Sequence, residues 1–263
     1  MNTAAKPSLI ARLGGFDDGR LMRVTFLALF AVSATFVLLD LRTMQQEDAA
    51  RPEPVTTAPD AEPYLAPALT EGAPQPMPEE FTGNLEALRE PITFDLQPDG
   101  ILAATGTIDP GAAERFAGEL ENRGEYIKTV VLNSPGGSVQ DALVMAQAIR
   151  DHKIGTRVQS GALCASSCPL VLAGGVSREA GARAVIGVHQ VFTARNEVIA
   201  SDKAVSNAQH TTARIGRLLN SMGIENGLWL HAMETPPDRL YYLKPDELRS
   251  LKLATKILAD PKS

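Results

Sequence analysis

The run from Val24 to Leu39 carries no charge, and it separates the start of this 263-residue chain from everything that follows. A helix that crosses a bilayer needs about 20 apolar residues, with a lower limit near 17. Leu21 and Met22 lengthen the run, because the Arg23 side chain can carry its charge out to the headgroups. Lys6, Arg12, Arg20 and Arg23 precede the run, against Asp17 and Asp18. That bias favours a cytoplasmic N-terminus and places the rest of the chain outside. The expectation is a signal-anchor helix over residues 21–41 behind a cytoplasmic tail of residues 1–20. A cleaved signal peptide, cut near Val32–Ala34, is the competing reading. Against it, the apolar stretch continues through Phe36, Val37, Leu38 and Leu39.

Residues 42–84 read as a spacer. Eight of the chain's 18 prolines fall between Pro52 and Pro78, and the acidic residues from Glu47 to Glu80 are opposed only by Arg51. Such a segment cannot bury enough apolar surface to offset its ordering entropy, and proline keeps it extended. It would hold a soluble domain, residues 85–263, away from a cytoplasmic (inner) membrane, on the periplasmic side. The net charge of -6, with no basic stripe, excludes a nucleic-acid binder. Two cysteines are too few for a disulfide scaffold.

From Leu85 on, strand and helix patterns alternate. Ile92–Gln97 alternates apolar and polar, Pro98–Gly100 is a turn, and Ile101–Ile108 is a second strand. Asp109 as N-cap and Pro110 at the first position predict a helix that closes near Gly124. Tyr126–Asn133 reads as a central strand. A helix from Ser138 places Val139, Ala142, Leu143, Ala146 and Ile149 on one face. Gly155–Ser160 and Ala182–Gln190 read as strands, and Ser201–Gly223 as a long helix. A helical turn near Leu228–Glu234, then a short helix and a strand, complete the pattern. The alternation predicts an α/β domain with a mostly parallel sheet.

Three islands within it bear chemistry-capable residues. In LNSPGGSV, Leu132–Val139, a strand meets a double glycine and then a helix, so backbone N–H groups can point outward. It is neither a dinucleotide fingerprint nor a P-loop, and a plain strand-to-helix turn is the competing reading. SGALCASSCPLVLAGG, Ser160–Gly175, puts Ser166 and Ser167 at the start of a helix whose first turn holds Pro169. A serine there is often only a cap, but it can also be an exposed nucleophile beside an oxyanion-binding N–H. GVHQ places His189 at a strand end, where α/β sites form, whereas His152, His210 and His231 fall on helices or their ends.

In this order the islands resemble the proteolytic subunit of the Clp protease and its relatives in the crotonase-like fold, over roughly Ile101 to Leu258. The resemblance implies repeated β-β-α units and a Ser-His-Asp triad. It assigns Ser166 as nucleophile, 29 residues after Gly137 (166 − 137), and His189 as base. Gly137 and Ser167 would supply the oxyanion N–H groups. Asp238 in PPDRLYYLKPDEL would orient the imidazole, with Asp246 as the fallback. The implied reaction is hydrolysis of a peptide or protein substrate, with no cofactor and no metal.

The chain departs from the family in the cysteines that frame the serines. In an oxidising compartment Cys164 and Cys168 can form a disulfide bracketing Ser166; two buried small side chains are the other reading. No loop for an unfoldase is recognisable, so no ATPase partner is expected, and a homo-oligomer and a monomer both stay open. Two further readings are an inactive binding or assembly module of the same fold, and acyl-CoA chemistry. A Ser–Lys pair using Lys203 has no motif to support it.

Overall fold

The computed structural model describes residues 18–50, 77–191 and 201–260. They fall into two separate units. The first is helix α1 (Asp18–Ala50). Its stretch Gly19–Arg42, 24 residues whose most apolar 18-residue window has a mean hydropathy of 2.2, is long and apolar enough to cross a membrane. The helix runs past residue 41 into the expected spacer. Residues 42–50 contain neither proline nor glycine, and Pro52 is the first helix breaker. Residues 51–76 of the spacer lie outside the described residues.

The second unit begins before Leu85. Met77 and Phe81 pack against Leu88, Leu163, Ala165 and Val185, and Thr82 N–H donates to Gly161 O at 3.0 Å. Helix α2 (Leu85–Arg89) leads into β1 (Thr93–Gln97), and Pro98–Gly100 turns the chain into β2 (Ile101–Thr105). There follow α3 (Ala112–Arg123), β3 (Thr129–Asn133), α4 (Val139–Asp151), β4 (Gly155–Val158), β5 (Leu163–Ala165), α5 (Cys168–Gly174), β6 (Arg178–Gly181) and β7 (Val185–Val188). The chain ends with α6 (Ser201–Ser221), α7 (Gly227–Glu234), β8 (Tyr241–Tyr242), α8 (Pro245–Ser250) and β9 (Lys256–Leu258).

Two sheets result. The larger has the order β1-β2-β3-β4-β6-β9, parallel throughout except for the β1–β2 hairpin. The smaller has the order β5-β7-β8, with β5 and β7 parallel. A bridge between Ser134 and Cys164 joins them where β3 ends. Parallel strands covered by helices are buried on both faces, which explains the continuous apolar run Val130–Leu132. Phe116 of α3 and Ala142, Ala146 and Ile149 of α4 are fully buried.

Three expectations are corrected. The strand expected over Ala182–Gln190 is shorter: β7 covers Val185–Val188, and Ala184 N–H closes a turn onto Gly181 O that separates it from β6 in the other sheet. The strand expected to reach Ile108 stops at Thr105, because Gly106 (φ 120°) passes against the backbone of Glu90 and Pro91. Asp109 does not cap α3. Gly111 holds the cap position, and Asp109 instead accepts the Ile92 N–H and pairs with Arg115.

The cap is supplied from α4. Asp141 Oδ1 accepts the N–H groups of Gly111 (3.1 Å) and Ala113 (2.8 Å), while Oδ2 accepts the Ser138 hydroxyl at 2.5 Å. This buried carboxylate ties the end of the glycine loop to α3. Asp141→Ala is expected to lower the unfolding free energy by about 2 kcal/mol, measured by chemical denaturation, since a buried hydroxyl and two part-buried backbone donors lose their acceptor.

Candidate active site

The site is built where β3, β5 and β7 end. Asn133 Oδ1 accepts the Leu163 N–H at 3.0 Å. Ser134 N–H donates to Leu163 O at 2.7 Å, and Ala165 N–H to Ser134 O at 3.0 Å. These bonds stitch β5 onto the end of β3. The chain then turns through Pro135 into Gly136 (φ 96°) and Gly137 (φ 142°). Gly136 N–H is taken by Ser134 Oγ at 3.2 Å. Ile108 N–H donates to Gly136 O, and Ser138 N–H to Ile108 O. Gly137 N–H meets no protein acceptor among the described residues. A Cβ on Gly136 would lie 2.5 Å from Ser166 Cβ and 2.8 Å from Ser167 N, so the loop passes directly against the serine turn.

Ser166 follows β5 with φ 63°, the left-handed region that costs a non-glycine residue about 1–3 kcal/mol. Its N–H donates to Gly187 O of β7 at 2.9 Å. The turn delivers the chain into α5, which starts at Cys168 with Pro169 in its first turn. Ser167 occupies the cap position without capping: its fully buried hydroxyl has no partner among the described residues, and neither has its N–H. A disulfide joins Cys164 and Cys168, with Cα atoms 5.2 Å apart and both residues fully buried. At the far end of α5, Arg150 donates to Ala173 O and Gly175 O, and Arg178 also donates to Gly175 O. Burial, and then the adjacent Arg150 charge, lower the Arg178 pKa from its ordinary value.

His189 comes one residue after β7. Its Nε2 lies 2.8 Å from Ser166 Oγ, and the two residues are 3% and 5% exposed. With the ring neutral and protonated at Nδ1, the Ser166 hydroxyl donates to Nε2. The next residue fixes the strand end: Gln190 N–H donates to Thr235 O at 2.9 Å and its side-chain amide to Met233 O at 2.6 Å.

A hydroxyl on a strained strand-to-helix turn, held against a buried imidazole, with nearby backbone N–H groups that meet no protein acceptor among the described residues, is an arrangement suited to acyl transfer. No family model matches the chain, and no curated protein matches it. Solved structures similar to it include the following two. A peptidase from Plasmodium falciparum is 14% identical, with a TM-score of 0.48, over 60% of this chain and 94% of that one. A mutant of ClpP1 from Listeria monocytogenes is 17% identical, with a TM-score of 0.48, over 62% of this chain and 92% of that one.

Of the residues singled out in the sequence, Ser166, Ser167, His189 and the double glycine lie together. Asp238 does not join them. Its side chain is 63% exposed, and its carboxylate lies 3.5 Å from Arg239 Nε. Asp246 is exposed in the first turn of α8. Lys203 falls in α6, with its side chain outside the described residues. His152 caps the end of α4, and His231 stacks on Tyr241. Among the described residues, no cluster of three or more His, Cys, Asp or Glu side chains is placed to hold a metal ion.

Sequence reasoning missed Asn133, Ser134 and Gln190, which orient the glycine loop and the histidine. The signal for the first two was present: short polar side chains before a proline turn bond to nearby backbone. Nothing local marked Gln190, whose partners lie more than 40 residues away.

Proposed function

We propose that this chain is a membrane-anchored serine peptidase that works without ATP, with Ser166 as nucleophile and His189 as base. The observation that carries the reading is the 2.8 Å contact between Ser166 Oγ and His189 Nε2 at a residue with φ 63°. In the reaction, Oγ attacks the peptide carbonyl carbon while its proton passes to Nε2. The carbonyl oxygen becomes an oxyanion between the N–H groups of Gly137 and Ser167, each donor worth about 3 kcal/mol. The imidazolium returns its proton to the leaving amine, and a water deprotonated by His189 releases the acyl group from Ser166.

Asp238 is the orienter in this reading. In the antiparallel pairing of β7 and β8, Val188 lies opposite Tyr241, so Asp238 sits in the connection just before the strand that lines His189. Helix α1 is the anchor, and the basic residues before it favour a domain on the periplasmic side.

A second reading, a binding or assembly module without hydrolysis, is favoured by the exposed position of Asp238. A fluorophosphonate probe separates the two. Under the peptidase reading the full chain is labelled, labelling is lost in Ser166→Ala, and it persists in Ser167→Ala, whose N–H remains. A wild-type chain that takes no label is a module and not a hydrolase.

A further inference from the structure

We propose that the Cys164–Cys168 disulfide positions the nucleophile, so that the reduced chain is latent and oxidation completes the site. The proposal rests on the peptidase reading above. Hydrogen bonds tie the first two residues of the turn to neighbouring strands: Ala165 N–H is bonded to Ser134 O and Ser166 N–H to Gly187 O. Ser167, the next residue, donates to no protein acceptor from either its N–H or its hydroxyl among the described residues. The disulfide closes over this gap, from the residue before Ala165 to the first residue of α5. Arg150 and Arg178 hold the other end of α5, and the covalent link adds a constraint at the end carrying the serines. Ser166 sits in a left-handed conformation that an unrestrained serine leaves readily.

The activating step is thiol–disulfide exchange with a disulfide oxidant. The two cysteine thiols and one oxidant disulfide become the Cys164–Cys168 disulfide and two oxidant thiols, with both electrons going to the oxidant. Both cysteines are fully buried, so the closed bond is shielded from external thiols.

The test compares fluorophosphonate labelling of the full chain in detergent, oxidised with oxidised glutathione, with that of the double variant Cys164→Ala/Cys168→Ala. A turn displaced by about 1 Å costs on the order of 100-fold in rate, so the variant should label about 10- to 100-fold more slowly. The loss should appear in the maximal labelling rate and not in the half-saturating probe concentration, with a cooperative thermal transition retained. If the variant does not melt cooperatively, the wild-type chain kept in a phosphine reductant until two thiols titrate takes its place. Labelling of either at the oxidised rate overturns the proposal. An oxidised wild type that takes no label overturns the peptidase reading instead, so the two failures are distinct.

Discussion

His189→Ala is expected to slow fluorophosphonate labelling of Ser166 by about 10⁴- to 10⁶-fold while leaving the fold intact, since a serine hydroxyl without its base is a poor nucleophile and triad members act as a unit. The imidazole is 3% exposed, and its Nε2 lies 2.8 Å from the Ser166 hydroxyl. Removing the ring leaves a cavity that water can enter, so some loss of stability accompanies the loss of rate. The two effects separate by measurement. A thermal melt reports the cavity, and the labelling rate at a fixed temperature below the melt reports the base. A variant that labels within tenfold of wild type would mean that the contact between the two side chains is packing and not chemistry.

Gly136→Ala is expected to cost about 3 kcal/mol or more in unfolding free energy and to abolish labelling. The residue adopts φ 96°, and a Cβ there would lie 2.7 Å from Ala165 O as well as against Ser166 and Ser167. Two of those atoms are backbone of the nucleophile's own turn, so relief comes only by moving the serine. Gly118→Ala and Gly216→Ala provide the contrast. A Cβ at either position meets nothing within 4 Å, and both lie inside helices. Alanine there should be neutral or stabilising by about 0.5–1 kcal/mol. Equal melting temperatures for all three variants would contradict the close packing of the glycine loop against the turn.

The large sheet was legible because its strands carry their own signal. Thr129–Asn133 is apolar enough to be central on its own, and α4 shows its buried face at helical spacing. The hydroxyl, the imidazole and the double glycine were legible because each sits just beyond a strand, where an α/β fold gathers its loops. The small sheet was not. β5 has three residues and β8 has two, so their identity as strands comes from partners far along the chain and not from local pattern. The same holds for the start of β7: nothing local marks the turn at Ala182–Ala184, which links strands of two different sheets. Asp109 misled because a cap residue in the right place was recruited by Ile92 and Arg115, while Asp141, from the next helix, took its role. Asp238 shows the reverse limit: a motif match fixes a residue's place in the chain but not which way its carboxylate turns.

The contact of Met77 and Phe81 with Leu163, Ala165 and Val185 bears on where the protein can be cut. A truncated fragment starting at Leu85, the boundary the composition suggests, would strip the aromatic ring and the thioether from the strand that carries Ser166. Tyr242 would be left with nothing over its hydroxyl, which now points to the Met77 sulfur. Such a fragment would expose a greasy edge and tend to aggregate, whereas one starting a few residues before Met77 keeps its own lid on that surface.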